Sequence, residues 1–330
     1  MTATQPLLDV SGLTISFRQG GSDVAVISDL SFAIQPGESV GMVGESGCGK
    51  TVTGLSLLSL LPPETAKVSG RIGFDGVDLT KLSPRDMQKI RGRRIAMIFQ
   101  EPMSALDPVF TIGQQISETI RAHFPVNARE ARERAIDALA AVGIPLPARR
   151  YDEYPHQLSG GMRQRAMIAI ALSCEPRLLV ADEPTTALDV TVQAQILDLL
   201  LALTAKSGTA LLFITHDLGV VAEACSRVLT MYAGQLVEDA MVDDVLTRPL
   251  HPYTSGLLRS LPRLSAAKSV LPAIPGRVPT NAEWQAGCRF VPRCSHALIA
   301  CDAPQLLRGE EPHRVRCGRY SELSLPGVLP

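Results

Sequence analysis

Eight consecutive residues, Gly44-Glu45-Ser46-Gly47-Cys48-Gly49-Lys50-Thr51, constrain this 330-residue chain more than any other segment. They fit the pattern G-x-x-x-x-G-K-[ST]. They stand between the short apolar run Ser39 to Val43 and the leucine-rich stretch Thr51 to Leu61, which Pro62-Pro63 stops. Strand, glycine loop and helix in that order let a backbone wrap closely round phosphate oxygens, while the helix offers its unsatisfied N–H groups and positive dipole end. In that geometry Lys50 reaches the β and γ phosphates and the Thr51 hydroxyl ligates magnesium. A glycine-rich turn without a ligand is the bland alternative, and the flanking strand and helix weigh against it.

The rest of the chain reads as α/β. Leu7 to Phe17 alternates apolar and polar residues and Ile27 to Ile34 nearly does, so both are expected as strands of a half-exposed antiparallel sheet. Arg71 to Leu79 predicts a hairpin, and the basic segment Arg91 to Arg94 leads into a buried-type strand, Ile95 to Phe99. Residues 104 to 172 turn to helical periodicity, clearest in Ala128 to Val142, which Gly143 and Pro145 terminate. Leu178 to Ala181 and Ala210 to Thr215 are continuous apolar strands of the kind covered on both faces, and the helix-like run Val190 to Ala205 separates them. Beyond about Arg248 the composition shifts to Pro, Arg and Cys with little periodicity, which places a domain boundary between 247 and 248 and a helical subdomain at about 104–176.

Nucleotide chemistry also needs a magnesium-holding carboxylate and a group to activate water. Leu178-Leu179-Val180-Ala181-Asp182-Glu183 supplies two carboxylates at a strand end, Asp182 for the metal and Glu183 as general base. Thirty-two Lys and Arg against 33 Asp and Glu leave a net charge of −1, which offers no field for nucleic acid. The longest apolar stretches, such as Ile196 to Leu203 and Ala166 to Cys174, fall short of the roughly 18 residues a membrane span needs. Met1 to Val10 lacks the basic start and apolar run of a secretory signal, so a cytosolic protein is expected.

Leu158-Ser159-Gly160-Gly161-Met162-Arg163-Gln164-Arg165 resembles the signature motif of ATP-binding cassette (ABC) ATPases, and it lies upstream of the Asp-Glu strand as in that family. Gln100 resembles the family's Q-loop glutamine, Ala187-Leu188-Asp189 its D-loop, His216 its switch histidine and Phe17 its adenine-stacking aromatic. Ser159 is in addition a suitable N-cap for a helix from about Gly161 to Leu172. The resemblance runs from residue 7 to about 240. It implies a P-loop ATPase with an N-terminal antiparallel β subdomain, a RecA-like parallel-sheet core, a helical signature subdomain and a small Cys-containing C-terminal extension. It also implies that Glu183, His216 and Gln100 act in hydrolysis, with Thr51, Gln100 and Asp182 on magnesium. Phe17, Gly44 to Thr51, Ser159, Gly160, Gly161 and Asp189 would contact ATP, the signature residues and Asp189 across a head-to-tail dimer.

Arg248-Pro249-Leu250-His251-Pro252-Tyr253-Thr254 and the cysteines after it narrow the resemblance to ATPase subunits of oligopeptide, dipeptide and nickel importers. The His-Pro-Tyr segment itself reads as a turn without chemistry. Cys288, Cys294, Cys301 and Cys317 are separated by five, six and fifteen residues, without the close C-x-x-C pairs usual for zinc. Four thiolates at these spacings suit a [4Fe-4S] cluster, the group some members of the resembled family carry, with Arg289, Arg293 and Arg316 offsetting its charge. Zinc with His296 or His313 replacing one thiolate, or four buried hydrophobes without metal, are the alternatives. The resemblance further implies two membrane permease subunits, a second, homologous ATPase and an extracytoplasmic solute-binding protein. It places the chain on the cytoplasmic face of a prokaryotic inner membrane. A soluble ABC ATPase acting on DNA or the ribosome is the reading of another class, and the single cassette without sustained heptads weighs against it.

Overall fold

The computed structural model describes residues 5–101, 105–186, 189–261 and 273–328. The chain packs as two compact units: Met1–Ile34, Ser39–Thr80 and Phe213–Pro330 form the first, Gln35–Glu38 and Lys81–Leu212 the second.

In the first unit, β1 (Leu8–Gln19) pairs antiparallel with β2 (Ser22–Ile34) on one side and with β4 (Ala66–Phe74) on the other, and β5 (Val77–Asp78) extends the sheet beyond β4. The alternation seen in the sequence is the cause, with one interruption: Leu8 and Val10 are buried, a register shift between Val10 and Leu13 inserts one residue, and the period-2 pattern resumes with Leu13 and Ile15 buried. A second sheet runs in the order β11 (Arg314–Val315), β10 (Gln235–Met241), β9 (Arg227–Tyr232), β3 (Ser39–Val43), reaching β8 (Ala210–Thr215). β3 and β9 are parallel, while β9–β10 and β10–β11 are antiparallel. The late segment therefore adds a strand to the sheet that carries the glycine loop. Val221 of the helix Leu218–Ala224 packs so closely on β3 that a Cβ at Gly41 would lie 2.3 Å from its methyl.

The second unit holds the order β8, β7 (Leu178–Asp182), β6 (Ile95–Ile98), with β6 and β7 parallel and buried throughout, as their unbroken apolar composition requires. Helices Ile112–His123, Ala128–Ala141, Gly160–Leu172 and Val190–Ser207 make up most of the remainder. Thr111 and Gln114 close the first with a capping box, and Asn127 caps the second. Gly113 carries no side chain because the Tyr151 ring occupies the place of its Cβ, 2.1 Å away. That ring is fixed by a 2.9 Å hydrogen bond between the Tyr151 and Ser117 hydroxyls and by the Arg132 guanidinium stacked 4.0 Å above it.

Two local expectations change. The helix expected to run to Leu61 ends at Leu57, because Ser59 takes a left-handed backbone and Leu60 N–H turns back to Leu55 O at 3.0 Å. His251-Pro252-Tyr253 is not a free turn. Pro252 is the first residue of the helix Pro252–Arg259, whose start is capped by His251 Nδ1 accepting from Tyr253 N–H at 3.1 Å.

Candidate functional site

β3 delivers the glycine loop and the helix Lys50–Leu57 continues it. The loop can pass this close to its neighbours only through its glycines. A Cβ at Gly44 would sit 2.2 Å from the Met231 carbonyl oxygen, and Gly49 adopts φ +103 with its absent Cβ 2.2 Å from Ile27 Cδ1. Lys50 is buried, and its ammonium donates to the carbonyls of Gly44 at 2.7 Å and Glu45 at 3.3 Å, so the lysine crosses the loop it follows. Cys48 is fully buried beneath it. Burial raises its thiol pKa despite the nearby Lys50 charge, which makes Cys48 a packing residue rather than a nucleophile. Thr51 lies in the first turn of the helix, and Ser46 and Gly47 complete the loop. A buried cation and a backbone stripped of Cβ atoms are what a triphosphate cradle requires.

The first unit adds contacts that the sequence reading did not place at this loop. Glu45 N–H donates to the Tyr253 hydroxyl at 2.9 Å, and both Nη atoms of Arg293 grip the Glu45 carboxylate at 2.6 and 3.0 Å. Gly234 N–H, in the β9–β10 turn, donates to Cys48 O at 3.1 Å. Tyr253 and Arg293 lie 208 and 248 residues from Glu45, so local pattern carried no signal for either. Phe17 lies half-buried in β1 opposite Val24 and Ala66, and His216 is exposed directly after β8.

In the second unit β7 ends at Asp182, which is 2% exposed, and the chain turns at Glu183 with a left-handed φ of 45. Gln100, just beyond β6, donates from Nε2 to Glu183 Oε2 at 3.2 Å, and the Thr186 hydroxyl donates to the same oxygen at 2.8 Å. Gln100 and Glu183 are thus brought together, and Thr186 joins them without having been expected. Its place three residues after Glu183 could have flagged it. Ser159 caps the helix Gly160–Leu172, its Oγ accepting from Met162 N–H at 3.3 Å, so Gly160 and Gly161 form the first turn. Asp189 caps Val190–Ser207 through Val192 N–H at 3.0 Å; Ala187 and Leu188 of the expected D-loop lie outside the described residues.

The cysteine expectation requires correction. Cys288, Cys294, Cys301 and Cys317 line one cavity of about 20 Å³ with His251, Phe290 and His296. Yet among the described residues no group of three or more His, Cys, Asp or Glu side chains is arranged to hold a metal ion, so neither the iron–sulfur cluster nor its zinc alternative is supported. Burial explains what the cysteines do instead. It pushes the Cys288 thiol up to about 11 and raises those of Cys294 and Cys317, as for small side chains held in an apolar core. Cys288 and Cys294 pack as small hydrophobes against the core of Tyr232, Ala233, Val237, Tyr253 and Phe290. The three arginines expected to offset cluster charge have other partners. Arg293 binds Glu45, Arg289 donates to Ala233 O and stacks 3.6 Å over Trp284, and Arg316 bonds Asp29, Leu236 O and Gln305 O.

Residues 27–186 match the ABC transporter family, and residues 237–301 match the C-terminal region of oligopeptide/dipeptide transporters. The chain is 52% identical over 321 residues, 96% of each protein, to one named a probable peptide ABC transporter ATP-binding protein from Sinorhizobium fredii. A solved ATP-binding cassette, dimeric and bound to ADP and phosphate in a post-hydrolysis state, superposes with a TM-score of 0.64 at 26% identity, covering 71% of this chain and 98% of that one. A component of the ABC transporter complex cbiONQ from Clostridium perfringens superposes with a TM-score of 0.62 at 27% identity, covering 73% and 91%.

Proposed function

The chain belongs to the ABC transporter family, and from that membership we propose that it is the ATP-hydrolysing motor subunit of a binding-protein-dependent importer of di- or oligopeptides. The observation that carries this reading is the end-to-end similarity to a peptide transporter ATP-binding protein, which includes the oligopeptide-type C-terminal region. Residues 1–247 form the nucleotide-binding domain, with a helical subdomain at about 104–176, and 248–330 form the C-terminal domain.

Gly44 to Thr51 cradle the triphosphate, Lys50 offsets its charge, and Phe17 stacks on the adenine. Thr51, Asp182 and Gln100 would hold magnesium, which when bound would supply Lewis-acid polarisation of the phosphate oxygens. Glu183 takes the proton of the attacking water, with His216 beside the γ phosphate. Gln100 and Thr186 support this assignment by donating to the Glu183 carboxylate and so orienting it. Ser159, Gly160, Gly161 and Asp189 serve the nucleotide of a second, homologous cassette. ATP binding closes that pair and hydrolysis reopens it.

Among the described residues no helix is long and apolar enough to cross a membrane. The pathway is therefore assigned to two permease subunits, with the chain held peripherally on the cytoplasmic face of a prokaryotic inner membrane and a solute-binding protein outside. Tagging the protein in its host, solubilising membranes in mild detergent and identifying what co-purifies tests the reading. Two multi-span permeases with a second cassette ATPase are expected. Ribosomal or DNA-repair proteins without any membrane subunit would replace it with a soluble ATPase.

A further inference from the structure

We propose that Tyr253 and Arg293 are positioning residues for the nucleotide loop, holding Glu45 so that the loop's backbone conformation and its charge are set by the C-terminal segment. The inference rests on the ATPase reading above and goes beyond it, because neither residue belongs to the loop, the signature or the strand-end carboxylates.

Three features of the geometry carry it. First, Glu45 is the second residue of the loop, two beyond the end of β3, and its N–H is taken by Tyr253 and its carboxylate by Arg293. Holding the amide and the side chain of one residue restrains its backbone, and the path of a phosphate-binding loop depends on that restraint. Second, Arg293 is itself immobilised. Its side chain is 4% exposed, its Nε donates to Pro275 O at 2.8 Å, and one Nη donates to the Tyr232 hydroxyl at 3.4 Å. The two-pronged grip on Glu45 is therefore preorganised, unlike a surface pair between mobile side chains. Third, the pair solves an electrostatic problem. An unpaired carboxylate in an anion-binding loop would repel the triphosphate, and the Arg293 guanidinium offsets it at 2.6 Å.

The support is continuous into the C-terminal segment. Tyr253 is fully buried, its ring 4.6 Å from that of Tyr232 and 5.5 Å from that of Phe290, and Phe290 lies three residues before Arg293. Burial keeps the Tyr253 phenol protonated, so the hydroxyl stays neutral as it accepts from Glu45 N–H. By reciprocity, whatever the segment does for the loop, nucleotide on the loop must do for the segment.

The test uses the full-length protein, a fluorescent ATP analogue with magnesium, and hydrogen exchange. Tyr253→Phe keeps the ring and removes one acceptor, and it should weaken binding about 2- to 12-fold. Arg293→Gln should weaken it further, and Arg293→Lys should restore part of the loss through charge. Glu45→Gln removes the charge that Arg293 answers, so Arg293→Gln made in that background should cost at most about a further twofold. A merely structural arginine would instead act additively in both backgrounds, and that result overturns the proposal. Should Arg293→Gln not fold, Tyr253→Phe and the wild type decide. Magnesium-ATP must slow exchange of the Val291, Arg293 and Cys294 amides, which bond within the 288–294 turns, and Tyr253→Phe must reduce that protection. Unchanged exchange, or unchanged affinity in Tyr253→Phe, overturns it while the ATPase reading stands. A wild type that binds no ATP analogue would remove both.

Discussion

Replacing Glu183 by glutamine separates holding a nucleotide from hydrolysing it, and the local geometry makes the change unusually clean. Gln100 Nε2 and the Thr186 hydroxyl both donate to one oxygen of this side chain, Oε2. A glutamine amide retains one carbonyl oxygen that can accept both, so the side chain keeps its direction and the left-handed turn at residue 183 is undisturbed. The site is only half-buried, and global stability should move by no more than about 0.5 kcal/mol. Only the capacity to accept a proton is lost. General-base catalysis contributes about a hundredfold or more, so hydrolysis should fall by at least that factor, about 2.7 kcal/mol in the barrier. ATP affinity should stay within about twofold. Phosphate release at saturating magnesium-ATP, together with fluorescence titration of a nucleotide analogue, measures the two separately. Turnover within about threefold of wild type, with binding intact, would refute the assignment of Glu183 as the base. Loss of binding would instead show that the carboxylate holds the fold of the turn.

Other perturbations follow from single contacts. Lys50→Ala removes the buried ammonium that crosses the loop, and nucleotide affinity should drop roughly 10- to 100-fold; undiminished binding in a titration would count against the phosphate cradle. Gly113→Ala drives a methyl into the Tyr151 ring, which the Ser117 hydroxyl and Arg132 prevent from yielding, at a cost of about 1–3 kcal/mol in denaturant unfolding; an unchanged midpoint would show that the ring moves freely. Asp239 is 1% exposed and answers Arg227 at 2.7 and 2.9 Å and Arg314 at 2.6 Å, so Asp239→Ala removes the carboxylate the two guanidinium groups share, while Arg227 keeps Ala33 O and Arg314 keeps Glu311, and should cost about 1–3 kcal/mol, read as a fall in thermal midpoint. A loss below about 1 kcal/mol would mean that water reaches both arginines.

Much of the fold was readable because its signals are local. β3 and β8 occupy the residues expected of them, Ser39–Val43 and Ala210–Thr215, since short unbroken apolar runs bounded by turn residues leave few other options. The helix Ala128–Ala141 stops one residue before the expected end for the same reason, its Gly143 adopting φ +71. Gln100 was assigned a role only through family resemblance, and its contact with Glu183, 83 residues away, came from the structure.

The cysteines and the His-Pro-Tyr segment show where such reading stops. Spacing and family resemblance together made four cysteines look like ligands, but whether a sulfur is a ligand depends on how the groups around it are arranged in space, which the chain order does not give. By itself the amino-acid order determined the loop, its flanking strand and helix, and the carboxylates at the end of β7, all features written within a few residues of one another. Tertiary structure alone decided that Tyr253 and Arg293 close on Glu45 and that Asp239 gathers two arginines. Hydrogen bonds and ion pairs between residues 75 to 248 positions apart depend on how the packed elements are juxtaposed, and no period in the chain encodes that.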